Sequence, residues 1–596
     1  MFDEALLEPI KYYESELKEK FSRIANEYFD ELVKRSGIDV DENRRTAASY
    51  REKKATADAA SKRLSAVKGL RAALIVLAVI AFVSALALFA GGGSSGAIAA
   101  GVAVTVFAVA TVIVVCTVFK KKIAQASERS KALIEKAQAE LRVAEGQIAA
   151  LNALFSSEMT AELIEKAMPV VKIDRNFNMR RFDYMNGKYG FSDNLDTTES
   201  TIDLVSGEIA GNPYLIEKRL KVRVGTQTYY GSLVITYTER YTDADGKTRT
   251  RSVTQTLHAS VVKPKPYYGT STVLVYGNDA APDLTFSRSP RHMEKLSDKQ
   301  LERKVKKGAK ELIKKEQKDA TDNDPTTNFT KLGNDEFEVL FNAVDRSDEV
   351  QFRLLFTALA QKNMISLLLN SAGYGDDFSF NKRKCLNYVR CEHMQNADLD
   401  ASPSRYVSYD ADLARSNFVS YNESYFKKLF FLFAPVLSIP MYQQQAPKRY
   451  DYKRDYPRNN TSYEAERIAN KMGAGNFAHP KTASGVILKT DLMTKKGGSD
   501  RIAVRAYSYS TEPRCDYVPV VGGDGRSHLV PVPWEEYIPI ENVSEITMKD
   551  VGLRDREFAE SAKAVGAIAK SPVWAFCHGI FARASNGDAD LDKDFD

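Results

Sequence analysis

Two apolar runs near the start of the chain dominate its hydrophobic pattern. The first covers Ala72–Ala90, the second covers Ala97–Phe119, and only Gly and Ser residues separate them. Neither run contains a charged residue, and a helix needs about 20 apolar residues to cross a bilayer. A signal peptide does not fit, because about 70 residues precede the first run and a second run follows it. The pattern predicts a transmembrane helical hairpin, and a pair of buried core helices is the alternative.

Basic residues flank this hairpin on both sides. Lys68 and Arg71 precede it, Lys120, Lys121 and Lys122 follow it, and the loop between the runs is uncharged. Lys and Arg in short flanking segments stay on the cytoplasmic side of a membrane. We therefore expect a multi-pass protein of the cell membrane, inner or plasma, with two spans and both termini in the cytoplasm. The lipid bilayer is then its first partner.

The segments that adjoin the hairpin carry a helical period. Apolar residues recur downstream at steps of three and four, at Ile134, Ala137, Leu141, Ala144, Ile148, Leu151 and Phe155. An Ala-rich seam from Tyr50 to Val67 precedes the first run. Residues 41–168 are thus predicted to form the hairpin and an antiparallel coiled-coil stalk, roughly 60 Å long at about 1.5 Å per residue. Pairing between chains, which would give a homo-oligomer, is the alternative.

The N-terminal segment has its own helical pattern. Apolar residues at helical spacing run from Ile10 to Leu32, and Gly37 follows them. We predict a separate amphipathic helix within residues 1–40. It either lies on its own soluble domain or pairs with another helix.

The period of the pattern changes to two after Pro169. Segments rich in Val, Thr and Tyr predict strands, and the turn at Asp243–Gly246 predicts a β-hairpin whose second strand ends at Pro264 and Pro266. We expect two antiparallel β-rich α+β modules in the cytoplasm, at residues 170–395 and 396–587, and an acidic tail at residues 588–596. The predicted fold class is a membrane-anchored α+β protein with N-terminal helices.

Helical patterns also occur inside these modules. We predict helices at residues 337–370 and 555–570, and a loop at residues 396–417. The apolar segment 426–442 is too short for a span and contains Pro435 and Pro440, so it predicts a buried helix followed by extended chain.

Residues 298–318 predict a strongly basic amphipathic helix. A basic helix with an apolar stripe is suited to anionic lipid headgroups, but it also fits a solvated helix packed on its module. We take the lysines of this helix, together with Lys120, Lys121 and Lys122, as the membrane-surface candidates. The helix contributes Lys304, Lys306, Lys307, Lys310 and Lys314.

Composition restricts the class of partner. The net charge of +6 is small for 596 residues and does not indicate nucleic acid. Residues 443–460 interleave basic and aromatic side chains, which could bind single strands, but acidic residues reduce their charge and favour a surface loop. Five scattered cysteines argue against a disulfide framework and fit a reducing cytoplasm.

The chain contains no motif of nucleotide-binding, zinc-protease or hydrolase type, and no paired-cysteine zinc pattern. Cys391 and His393 are two residues apart with Cys385 nearby, so one strand face could present all three to a metal. An ordinary β-sheet face is the preferred interpretation. We therefore predict no catalytic, cofactor-binding or metal-binding residues.

Short motifs in residues 203–390 carry a family resemblance. They include Asp203–Gly207, Asp245–Thr250, Asp335–Glu338 and Arg353–Leu355, in this order. The segment resembles a family of uncharacterised bacterial membrane proteins, the domain of unknown function 3137, whose members carry an N-terminal membrane hairpin. The family pattern has Thr-Pro where this chain has Thr357-Ala358. The resemblance implies an architecture but no activity.

Together these observations predict a bacterial integral membrane protein that serves as a non-catalytic interaction or scaffold platform. Its partner would be an unknown cytoplasmic protein. A membrane-tethered enzyme of unrecognised class is one alternative, and a small oligomeric channel or transporter subunit is a second. The uncharged spans argue against the second, because ionisable groups inside the membrane mark most ion pathways.

Overall fold

The structure is a computed structural model of the chain. It describes residues 7–90, 95–156, 158–174, 177, 179–191, 196–242, 245–321, 329–399, 401, 403–445, 462–496, 499–550, 574–577 and 580–584.

Fourteen α-helices lie in the described part of the chain, and two π-helical turns, Tyr13–Leu17 and Val115–Phe119, interrupt them. The helices are α1 (Pro9–Tyr12), α2 (Lys18–Ser36), α3 (Val40–Ala90), α4 (Ser95–Val114), α5 (Lys120–Asn152), α6 (Glu158–Ala167), α7 (Met179–Tyr189), α8 (Asp298–Thr321), α9 (Asp335–Phe341), α10 (Glu349–Leu355), α11 (Ala358–Leu368), α12 (Ala411–Leu437), α13 (Pro440–Gln444) and α14 (Ser462–Lys471).

The described strands form two antiparallel sheets, one of seven strands in the order β1-β2-β3-β4-β7-β6-β5 and one of five in the order β11-β12-β10-β9-β8. The strands are β1 (Val171–Ile173), β2 (Glu199–Ile209), β3 (Asn212–Thr242), β4 (Thr248–Gly277), β5 (Thr285–Arg288), β6 (Phe378–Arg383), β7 (Leu386–Cys391), β8 (Ile487–Lys496), β9 (Ser499–Val521), β10 (Ser527–Asp550), β11 (Trp574–Cys577) and β12 (Ile580–Ala584). The predicted α+β class with antiparallel sheets is confirmed.

The chain divides into two compact units. The helical unit comprises Ser22–Met159 and Ser402–Glu423, and the β-rich unit comprises Met1–Phe21, Thr160–Ala401 and Ser424–Asp596. Both sheets belong to the β-rich unit, and both long apolar helices belong to the helical unit.

The helical unit is organised by the pairing of α3 with α5. The Asn43 amide donates to the carbonyl of Ala144 at 3.2 Å and to that of Tyr409 at 3.1 Å, and Lys53 pairs with Glu140 farther along the two helices. Of the predicted seam residues, Ala137, Ala144, Ile148 and Leu151 are buried in α5, Leu141 is half-buried, and Phe155 is buried just after the helix ends. Ile134 is 39% exposed instead, and Ser130 continues the buried stripe. The pairing runs within one chain; a coiled-coil supertwist stays a prediction.

Two long β-hairpins dominate the β-rich unit. The strands β3 and β4 pair from Tyr214↔Tyr276 to Thr242↔Thr248, and β9 and β10 pair over a comparable length. The hairpins contact each other: Lys263 forms an ion pair with Asp516 at 2.7 Å and lies over the ring of Trp534.

The prediction that Pro264 and Pro266 end the second strand is wrong. Both prolines stand inside β4, opposite Thr226 and Val224. They occupy alternate positions, so their nitrogens point to the same side, and β4 pairs with β7 only from Leu274 onwards. Proline is tolerated where a strand edge is unpaired, because no ladder hydrogen bond is lost there.

The predicted single helix at residues 337–370 is three short helices. Asn342 adopts a left-handed conformation after α9, and the side chains of Asp348 and Thr357 cap the N-termini of α10 and α11. Ala358 is the first residue of α11, a position that favours proline. The family pattern has proline at this position and this chain has alanine, and either residue can begin a helix.

The segment around residues 411–442 is more helical than predicted. The polar residues from Ala411 onwards, predicted as loop, begin α12, which continues through Pro435 to Leu437. Phe430, Phe433 and Leu437 are buried, as predicted for this apolar segment. The extended chain expected after it is instead the short helix α13, with Pro440 at its first position.

Several predictions lie outside the described residues. They concern the start of the hairpin turn at residues 243–244, most of the basic aromatic segment 443–460, the helix 555–570 and the tail 588–596.

Candidate functional site

Exposed apolar side chains cover α3 and α4 in the helical unit. By length and composition, α3 and the helix that continues from α4 through the π-helical turn into α5 could each cross a membrane. Side chains such as Leu77, Phe82, Val106 and Ile113 are between 45 and 63% exposed. Core helices bury such residues, and soluble proteins rarely expose contiguous apolar patches of this kind.

Small residues are buried on these two helices. Ala78 and Ala85 of α3 and Ala108 of α4 are buried, and Ala81 is half-buried. Small side chains let helix backbones approach closely. Ala97 and Gly101, which are also four residues apart, lie where side-chain burial is not described.

The predicted membrane-surface lysines fall into two separate groups. Lys120, Lys121 and Lys122 begin α5 in the helical unit and are exposed. The second group lies on α8 in the β-rich unit, with Lys306, Lys307, Lys310 and Lys314 exposed and Lys304 half-buried.

The apolar stripe of α8 packs against its own unit. Ala309 and Leu312 are buried in a small core with Phe329 and Val339. Ile313 alone among the larger apolar side chains of this helix is strongly exposed, at 41%. The helix can therefore offer charge to an anionic surface, but its main apolar stripe is already occupied.

A cluster of three potential ligands lies at the open end of the β6–β7 hairpin. Asp377 directly precedes β6, Cys391 is the last residue of β7, and His393 follows in a 3₁₀ turn. The register pairs Phe378 with Cys391, so the start of one strand lies beside the end of the other. One oxygen, one sulfur and one nitrogen ligand atom from these residues all lie within 4.8 Å of one another.

Sequence analysis found two of these three residues. It grouped Cys391 and His393 with Cys385, but Cys385 precedes β7 at the opposite end of the hairpin. It did not consider Asp377, because only the antiparallel register of β6 and β7 brings this residue to the histidine. The available signal for Asp377 was its position directly before a strand that pairs with the strand ending in the Cys-x-His segment.

The cluster does not have the geometry of a nucleophilic triad. The Nδ1 atom of His393 lies 2.5 Å from Asp377 Oδ2, as an orienting carboxylate requires, but Nε2 faces the carbonyl oxygen of Lys428 at 3.1 Å. A cysteine nucleophile needs that second nitrogen as its base. Burial also raises the pKa of the Cys391 thiol well above its usual value. The thiol is therefore not activated.

Two further buried groups in the β-rich unit have shifted pKa values. Burial raises the pKa of Glu466 to about 7, although the Lys489 ammonium lies 3.0 Å away. Burial lowers the pKa of Lys382 to about 8, and its ammonium donates to the carbonyl oxygens of Ala280 and Lys384. Shifted values are common at functional sites, but structural networks produce them as well.

No family model, curated protein or solved structure matches this chain. The resemblance to the uncharacterised bacterial membrane family therefore stays a prediction.

Proposed function

We propose that this chain is a bacterial integral membrane protein, and that the parts of the chain outside α3 and α4 serve as a cytoplasmic interaction platform. In this account α3 and α4 cross the membrane as a hairpin, and the polar parts of α3 and α5 form a stalk. The exposure of the apolar side chains on α3 and α4 is the observation that carries the proposal, because lipid is the environment in which such a surface is stable.

The continuity of α3 supports the idea of a stalk. This helix has 51 residues and passes without a break from a charged segment into the apolar run. Its polar part, residues 40–71, would extend roughly 48 Å, and the 33 residues of α5 would extend roughly 50 Å. Two paired helices of nearly equal length would hold the attached chain at a defined distance from the bilayer.

The lysines support the proposed orientation. Lys120, Lys121 and Lys122 are exposed directly after the second apolar run. At the inner leaflet each basic residue gains about 1 kcal/mol from anionic lipids. The exposed lysines of α8 are secondary candidates for the same interaction, through charge alone.

Membrane insertion is tested by alkaline carbonate extraction of cell membranes. The unmodified chain should stay in the pellet. Lysine at both Val79 and Val109, two exposed apolar positions, should release it, because a charge at the centre of a span costs roughly 2.5–3.5 kcal/mol. Val350→Lys is the matched control, since Val350 is exposed in the β-rich unit. Release of the unmodified chain would refute insertion.

The platform role is tested by chemical crosslinking in native membranes followed by purification. Recovery of one cytoplasmic protein in constant ratio would support it. Repeated recovery of this chain alone, under conditions where a known membrane complex is captured, would contradict it.

A further inference from the structure

The cluster of Asp377, Cys391 and His393 has the features of a metal site. Its donors are a carboxylate oxygen, a thiol sulfur and an imidazole nitrogen, all contributed by one short hairpin. The side chains of His393 and Asp377 are only 4% and 11% exposed, and Cys391 is buried. The donors are therefore held in place by the strand pairing, and do not extend freely from the surface.

The ring of His393 is oriented as a ligand requires. A carbonyl oxygen only accepts hydrogen bonds, so the contact between Nε2 and the Lys428 carbonyl places a proton on Nε2. Metal-binding histidines commonly donate their second ring N–H to a carbonyl in this way, which leaves the other nitrogen for the metal. The Tyr374 ring stacks on His393 at 3.8 Å between centroids and fixes the ring plane.

The Nδ1 atom of His393 and the carboxylate of Asp377 are in direct contact. With Nε2 protonated, the neutral ring directs the lone pair of Nδ1 at Asp377 Oδ2, 2.5 Å away. Only a proton fits between two atoms at this distance, so an ion would bind beside both of them after they separate to the spacing that bonds of about 2.0–2.2 Å require. The backbone N–H of His393 donates to the same carboxylate oxygen at 3.1 Å and holds it beside the ring.

We propose that Asp377, Cys391 and His393 bind one divalent ion of the zinc class. Zinc accepts all three donor types, at about 2.3 Å for sulfur and about 2.0–2.2 Å for nitrogen and oxygen. Mg²⁺ and Ca²⁺ prefer oxygen ligands and are disfavoured by the cysteine. A carboxylate and a thiolate together would neutralise the charge of a divalent ion.

Such an ion would have a structural consequence inside the β-rich unit. His393 contacts the backbone of α12 through Lys428, and Asp377 and Cys391 belong to the two strands of the hairpin. The ion would therefore link the two strands at the open end of the hairpin. Through the contact of His393 with Lys428, it would also hold this end of the hairpin against α12. Three protein ligands leave a fourth position for water or another small ligand.

Cobalt titration of the detergent-solubilised full chain tests this site, after removal of metals with a chelator. Co²⁺ should bind in one equivalent and produce a thiolate-to-cobalt charge-transfer band, which Zn²⁺ then removes. Cys391→Ser should abolish the band, and His393→Gln or Asp377→Asn should weaken Co²⁺ binding by about tenfold or more. Cys385→Ser, at the other end of the hairpin, and Cys515→Ser, at an exposed site, should leave the band unchanged.

The unmodified chain provides a second readout that does not depend on the folding of variants. Added Zn²⁺ should raise its unfolding midpoint, whereas Mg²⁺ should not. A cobalt band that survives Cys391→Ser, binding without fixed stoichiometry, or no response of the unfolding midpoint to Zn²⁺ would each overturn the proposal. None of these outcomes depends on insertion of α3 and α4 into a membrane.

Discussion

At the scale of single residues, two buried arginines of the β-rich unit form ion pairs with buried or partly buried carboxylates. Arg288 pairs with Asp376, and the side chains of both residues are fully buried. Burial raises the pKa of Asp376 and lowers that of Arg288, against the opposing effect of their mutual attraction. Arg346 donates to Glu338 at 2.9 Å and to Glu349 at 2.7 Å. Such pairs add little net stability, but the loss of one partner is costly.

Arg346→Met should destabilise the β-rich unit by about 3–5 kcal/mol, because Glu338 would remain as an unpaired buried charge. The expected result is a large fall of the urea midpoint of the full chain. Arg251→Met is the matched control, since Arg251 pairs with Glu239 on the surface. An equal effect of both substitutions would show that burial of the pair is unimportant.

Glu466 should make stability depend on pH. Its pKa is about 7 in the folded chain and about 4.5 when unfolded, so the folded state binds more protons between these values. The contribution of Glu466 to the free energy of unfolding is fully present below about pH 4.5. It is lost as the pH rises through about 7, with a total change on the order of 3 kcal/mol.

The measurement is the difference in unfolding free energy between the unmodified chain and Glu466→Gln, followed from pH 4.5 to 8. The unmodified chain should lose stability relative to the variant as the pH rises. Lys489 and Glu217 also act on Glu466 and are unchanged in the comparison. A difference that is constant with pH would contradict the assignment.

At the scale of elements, the packing of the buried stripe of α5 in the helical unit can be tested by substitution. Ile148 is fully buried on this stripe and Val143 is 53% exposed. Ile148→Ala should cost about 2–5 kcal/mol, since it removes buried methylenes and leaves a cavity. Faster amide hydrogen exchange across Lys120–Asn152 is the expected signal. Val143→Ala should leave exchange unchanged, and similar exchange in both variants would refute the packing of this face.

Glycine determines how closely the two long hairpins approach. A Cβ at Gly231 in β3 would collide with the backbone of Pro531 and Val532 in β10. Gly231→Val should therefore force the hairpins apart at a cost of about 1–3 kcal/mol and increase proteolysis within β9 and β10. A Cβ at Gly269 in β4 meets no atom within 4 Å, so Gly269→Val should be tolerated. Equal proteolysis of the two variants would contradict the contact.

Local sequence patterns predicted helices and strands well where the hydrophobic period was strong. They failed where tertiary contacts determined the structure. Helical spacing predicted the buried stripe of α5 from Ala137 to Leu151, and alternation predicted strands in the hairpins. The prolines of β4 led to a wrong strand end, because a proline interrupts a strand only where its edge is paired with a neighbouring strand. Asp377 joins the metal candidates only through the register of β6 and β7, which its neighbours in sequence do not specify.

At the scale of the whole molecule, the account depends on the environment of α3 and α4. Our proposal places their exposed apolar side chains in lipid, and the basic residues on both flanks predict that both polar parts of the chain lie in the cytoplasm. The Gly and Ser loop would then be the part of the chain that reaches the opposite side. The platform role follows only if this orientation is correct.

Thiol labelling in intact cells tests this orientation most directly. Single-cysteine chains would carry Cys515, which is exposed in the β-rich unit, or a cysteine at Lys122 or Ser95, and a membrane-impermeant maleimide would be added. The account predicts that Ser95→Cys reacts in intact cells, whereas Cys515 and Lys122→Cys react only after permeabilisation. Labelling of Cys515 in intact cells, or protection of Ser95→Cys until permeabilisation, would contradict it.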